Sequence, residues 1–172
     1  MLKKLSAAVI LSSSLLSCVV AAQVMDTVKF TAIAKQVIQE SFKLEGADVD
    51  GMLANSKVLV AMGVAASRAY ATNHTEHAEL LTLTADAAGD MVKMDLDEIE
   101  EAWHEFGYLN GHGINAEEIE HFGVAISLMD TIVHPATVII ALNEYKQDPD
   151  SDYMDQVRDE LSEVLEHLKH VD

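Results

Sequence analysis

Between Gly123 and Leu142 the chain carries an apolar run as long as a membrane span, and Asp130, His134 and Pro135 stand at its centre. A spanning helix would hold Asp130 near the bilayer midplane, at a cost of about 2.5–3.5 kcal/mol for the aspartate alone. The flanks are acidic rather than basic, so no positive anchor fixes either end. The run therefore reads as a helix buried on all sides within a protein. A chain that buries such a helix must surround it with others.

The rest of the sequence supplies them. The chain has two prolines in 172 residues, and no long segment alternates apolar and polar at period two. Apolar residues recur instead at three and four. Helices are expected over residues 25–44, with Phe30, Ile33, Val37 and Ile38 on one face, and over residues 52–71, capped by Asp50. Ala61, Gly63, Ala65, Ala66 and Ser67 in the second allow close backbone approach. Asn73 with Glu76 looks like a capping box for a third helix reaching Met94, and Asp95 or Asp97 restarts or continues it. "NGHGIN" (110–115) is the clearest break. Asn115 then caps the helix of the apolar run, which Pro135 must kink or restart. After a turn at 146–152 the last helix covers residues 153–170. The expected fold is all-α, a compact up-and-down bundle of five to six helices, one of them kinked at Pro135.

Residues 1–22 read as a secretory leader: Lys3 and Lys4, an uncharged apolar stretch from Ala7 to Val20, then Ala21 and Ala22. The remainder, 23–172, reads as a single helical-bundle domain with no transmembrane segment. The one cysteine, Cys18, closes "LLSC", which resembles the lipobox of bacterial lipoproteins. Two processing routes follow, cleavage after Ala22 or a lipid anchor at Cys18. The location is periplasmic or otherwise exported in the first case and outer-membrane lipoprotein in the second. Neither leaves a cysteine pair for disulfides, thiolate zinc sites or covalent haem attachment.

Loss of Lys3 and Lys4 with the leader takes the formal net charge from −18 to −20. That balance repels phosphate backbones, so nucleic acid is excluded as a partner. Cations and basic proteins are the natural partners, with solubility as the simpler account of the charge.

Eight histidines remain to be explained. Five have a carboxylate four residues earlier: Glu100 before His104, Glu117 before His121, Asp130 before His134, Glu163 before His167 and Glu166 before His170. Composition alone predicts about one or two such pairs, although exposed helices favour the same spacing. A helical wheel at about 100° per residue places His104 off the face of Ile99, Ala102, Trp103 and Phe106, and His167 and His170 on the polar side of the last helix. Glu101 and His104 match the E-x-x-H spacing of di-iron carboxylate bundles but read as solvated. Glu118 and His121 fall within the apolar arc of Phe122, Ala125, Ile126 and Met129, while Asp130 and His134 fall at its edge. His77 shares a face with Leu80, Ala87, Ala88 and Met91.

The candidate metal ligands are thus His77, Glu118, His121 and His134, with Asp130, His74, His112, Met91 and Met94 as neighbours. Imidazole and carboxylate suit a divalent transition metal (Zn, Cu, Ni or Fe), or imidazole a haem b. Met25 and His170 stand near the chain ends, where small helical-bundle cytochromes hold haem, but His170 faces away from the expected core. The expected function is binding of a metal ion or haem as carrier, sensor or electron-transfer module, rather than catalysis. The alternative is a cofactor-free interaction or chaperone-like protein with structural or pH-responsive histidines. A di-metal enzyme would need several carboxylates on facing helices, and only Glu118 reads as inward.

Overall fold

The computed structural model describes residues 25–44, 46–115, 118–119 and 123–171. Residues 1–22, read as a leader that includes Cys18, and the candidate ligand His121 lie outside the described residues. Within them the chain is helical throughout: α1 (Thr27–Ser41), α2 (Val49–Ala71), α3 (Ala78–Met91), α4 (Leu96–Ile99), a π-helical turn (Glu100–His104), α5 (Gly107–Gly111), α6 (Val124–Gln147), α7 (Ser151–His167) and a closing 3₁₀ turn (Leu168–His170). The seven α-helices exceed the expected five or six because the stretch from Asp95 to Leu109, read as a restart or continuation of the third helix, folds as α4, the π turn and α5, which runs on into the expected break as far as Gly111.

Aspartates start most of the long helices. Asp26 accepts a hydrogen bond from the Lys29 amide at 2.9 Å, Asp48 from the Gly51 amide at 3.0 Å, and Asp150 from the Asp152 amide at 3.0 Å. Each carboxylate satisfies an amide that the first turn leaves without a helical partner. The cap of α2 is therefore Asp48 rather than Asp50, because Gly51 has no Cβ to obstruct the Asp48 carboxylate. Asp95 and Glu98 form a reciprocal capping box. Asn73 caps nothing: α3 begins at Ala78, after His77.

Four helices form the bundle. α1 packs on α2, α2 on α6, α6 on α7, and α7 back on α1, with α3 laid against α2 and α6. Ser41 meets Arg158 across α1 and α7, His134 meets Glu160 across α6 and α7, and Ser67 meets Leu128 across α2 and α6. Thr27 and Thr31 share a surface groove with Lys169 and Ser162, and Gly63 faces Thr131. Low numbers thus face high numbers at the three interfaces, so the four run up and down in turn. Two apolar cores flank α6. One holds Phe30, Leu59, Leu128 and Leu161; the other holds Met91, Trp103, Ile126 and Ile132. α2 and α6 have the length and hydropathy of a membrane span, but the apolar window of α6 is 94% buried inside the molecule. It is the helix both cores share.

Pro135 sits inside α6 without ending it. Proline has no amide to offer the carbonyl one turn back, which is that of Thr131. Gly63 of α2 packs against this carbonyl so closely that a Cβ there would lie 2.6 Å from the Thr131 oxygen and 2.7 Å from its hydroxyl. Gly63→Ala is therefore expected to force α2 and α6 apart and cost about 1–3 kcal/mol, read as a lower midpoint in urea. An unchanged midpoint would show that the helices do not approach this closely.

Candidate metal centre

A polar stripe runs along each of two facing helices. On α6 it is Asp130, His134 and Thr137; on α7 it is Gln156, Glu160, Glu163 and His167. Spacings of three and four residues keep each stripe on one side of its helix. The stripes meet beside the two cores, where Asp130 (6% exposed), His134 (3%), Glu160 (6%) and His167 (4%) are all buried. Buried ionisable groups must be paired, and these are. The His134 Nδ1–H donates to Glu160 Oε2 at 2.7 Å, and His167 Nδ1 pairs with Asp130 Oδ2. Gln156 Nε2 donates to the second Glu160 oxygen at 2.6 Å, holding the carboxylate in place.

The π turn brings a third histidine. Its defining bond runs from the Glu105 amide to the Glu100 carbonyl at 2.9 Å, one residue longer than an α-helical turn. The turn buries Trp103 and leaves His104 half-buried, with Nε2 3.7 Å from Glu160 Oε2 and 3.1 Å from the Thr137 hydroxyl. Thr137 already donates its proton to the Val133 carbonyl at 3.1 Å, so the His104 Nε2–H donates to Thr137. Phe106, directly after the turn, adopts a left-handed conformation (φ 60°) that costs a bulky residue roughly 1–3 kcal/mol. π turns and such strain both concentrate where function requires a side chain to be placed against local preference.

His104, His134 and Glu160 together offer two imidazole nitrogens and a carboxylate oxygen that all lie within 4.8 Å of one another. Tetrahedral zinc with bonds of about 2.0–2.1 Å holds its donors about 3.3 Å apart. An ion would open the 2.7 Å His134–Glu160 contact slightly and draw His104 inward. It would also replace the proton those two share. Beside the group lies a cavity of about 60 Å³, lined among others by His104, Asp130, His134, Glu163 and His167. Met129, rather than Met91 or Met94, supplies the thioether at its wall.

Burial pushes the His134 pKa down, but the hydrogen bond to Glu160 and the charges of Asp130, Glu160 and Glu163 outweigh it, and the net shift is upward. A folded-state pKa above the unfolded value of about 6.5 stabilises the fold fully below about pH 6.5, and that contribution fades as pH rises through the raised value. The metal-free protein should accordingly lose more stability on His134→Asn at about pH 6 than at about pH 9. Equal losses in urea titrations at the two pH values would rule out a charged His134.

The expected ligands are placed differently. His134 lies in the three-residue group. His77 is half-buried before α3, 6.4 Å ring to ring from Tyr70, outside the group. Glu118 is exposed, not inward, because α6 begins only after Gly123, whose extended backbone breaks the helical phase between the two segments. His104 and His167, read as solvated, are half-buried and buried respectively. For His104 the π turn invalidates the 100° wheel. His167 flanks the apolar stripe of α7, and α6 covers that flank. The stripe Gln156–Glu160–Glu163–His167 was visible in the sequence, but the helix it would face was not.

No family model, curated protein or solved structure matches this chain. His104, half-buried, with the buried His134 and Glu160 forms a histidine–histidine–glutamate group that could hold a metal ion.

Proposed function

We propose that the protein is exported and binds a divalent transition-metal ion through His104, His134 and Glu160, as a carrier or sensor. The observation that carries this is the convergence of the three donor atoms within 4.8 Å, at a place where burial makes ionisable side chains costly unless they are paired. Two imidazoles and a carboxylate suit zinc, nickel, iron or copper(II). A cavity of about 60 Å³ fits an ion or a water molecule, whereas sites for cofactor-sized ligands run to about 300–1,000 Å³, so an ion is favoured over haem b. Export rests on the leader, with Ala22 cleavage and Cys18 lipidation as its two forms. The high negative charge favours cations and basic protein partners over nucleic acid.

The upward shift of His134 favours one second reading, a cofactor-free protein that responds to pH through the same histidines. One experiment separates them. Purified mature protein is stripped with EDTA and melted with and without a hundredfold excess of Zn²⁺ over its dissociation constant. Binding to the folded state alone adds about 2.7 kcal/mol, several degrees in Tm for a domain of this size. A Tm insensitive to Zn²⁺, Ni²⁺, Cu²⁺ and Fe²⁺ would leave the pH-responsive reading.

A further inference from the structure

Trp103, the one tryptophan of the chain, is fully buried, and its indole N–H has no hydrogen-bond partner among the described residues. An indole N–H can only donate, and a buried donor without an acceptor is costly. Tyr108 stacks on the ring with centroids 4.8 Å apart, so the face is packed while the N–H lacks an acceptor. Trp103 belongs to the π turn that carries His104, and it lines the cavity beside the histidine–histidine–glutamate group. That group leaves a gap of its own. Zinc held by three protein ligands keeps its fourth tetrahedral position for water or another small molecule. His104 and His134 border the cavity and Glu160 does not, so the cavity lies on the histidine side of an ion placed among the three donors. Its volume of about 60 Å³ is several times the roughly 10–15 Å³ of open space that one water requires, so a small ligand fits beside the ion.

We propose that the ion held by His104, His134 and Glu160 keeps its fourth position open to the cavity, filled by an exchangeable water whose oxygen accepts the Trp103 indole N–H. The inference rests on the metal-binding reading of the site. One lone pair of the water goes to the ion and the other to the indole, which gives the buried donor the acceptor it lacks. The cavity wall also carries Asp130 and Glu163. Carboxylates there suit a ligand with protons to donate and disfavour an anion. A replaceable ligand lets the ion bind a small molecule, or pass to a partner's donor, without first losing a protein ligand, which is what a sensor or carrier requires.

The full mature chain, stripped of metal, is loaded with Co²⁺ in ordinary and in ¹⁷O-enriched water. Its low-temperature EPR signal is expected to be broader in the enriched water, because the ¹⁷O nucleus of a coordinated water couples to the unpaired electrons. In ¹⁵N-labelled protein the single tryptophan gives one indole N–H NMR signal, which Zn²⁺ should shift and protect from exchange with solvent. Trp103→Phe keeps an apolar ring but removes the donor, and should weaken Zn²⁺ binding by roughly 10–100-fold. Equal EPR linewidths in the two waters would mean an ion closed to water, overturning this inference and sparing the three-residue site. An indole signal that Zn²⁺ leaves unmoved, or wild-type affinity in Trp103→Phe, would overturn the role of the tryptophan and the inference with it. Should the variant not fold, the two wild-type measurements decide. A chain that binds no ion would overturn the metal site and this inference together.

Discussion

Glu160→Ala should cost the metal-free protein about 3–5 kcal/mol at about pH 6, the usual penalty for removing one partner of a buried ion pair, and lower Tm by on the order of 10 °C. Glu160 accepts from His134 at 2.7 Å and from Gln156 at 2.6 Å. Its loss strands both donors, one of them a buried imidazole that this carboxylate helps to keep protonated. The penalty should shrink at about pH 9, where the neutral imidazole no longer needs a counter-charge. Equal penalties at both pH values would mean that Glu160 contributes packing and not charge.

The second large effect is on metal affinity. Removing either imidazole, by His134→Ala or His104→Ala, should weaken Zn²⁺ binding by at least about 100-fold, since even residues that merely orient a ligand are worth about 10–100-fold. His77→Ala and Glu118→Ala should leave affinity within a factor of about two, because neither belongs to the donor group. Affinity should also rise with pH, because the ion must displace the His134 Nδ1 proton. Competition titration with a chromophoric chelator measures all four variants. If His104→Ala binds like wild type while His77→Ala does not, the centre is misassigned.

The expectation for His104 is the most instructive reversal. Its sequence neighbours put it on a polar face, which holds for a regular α-helix. One extra residue in the turn at Glu100–His104 rotates the side chain into the cavity, and nothing in "EEAWH" announces it. Glu118 departs from expectation for the opposite reason: the wheel assumes one regular helix, and Glu118 precedes the start of α6 at Val124. The excess of carboxylates four residues before histidines was a real signal with a misleading geometry. Asp130 and His134 stand at that spacing, as do Glu163 and His167, yet the closest pairings cross between helices, Asp130 to His167 and Glu160 to His134.

The helical fold and the buried character of α6 are written in the order of residues alone. Apolar periodicity and an unbroken apolar run are local properties, and the hydrophobic effect acts on them whatever the partner helix is. The same order dictates that Asp130 and His134 need partners, since burial makes an unpaired charge prohibitive. Which partners they meet follows from the packing of the helices. Pair energies depend on ångström distances between side chains from helices far apart in the chain, and those distances follow from the antiparallel register of α6 on α7 and from a π turn that sequence periodicity does not encode.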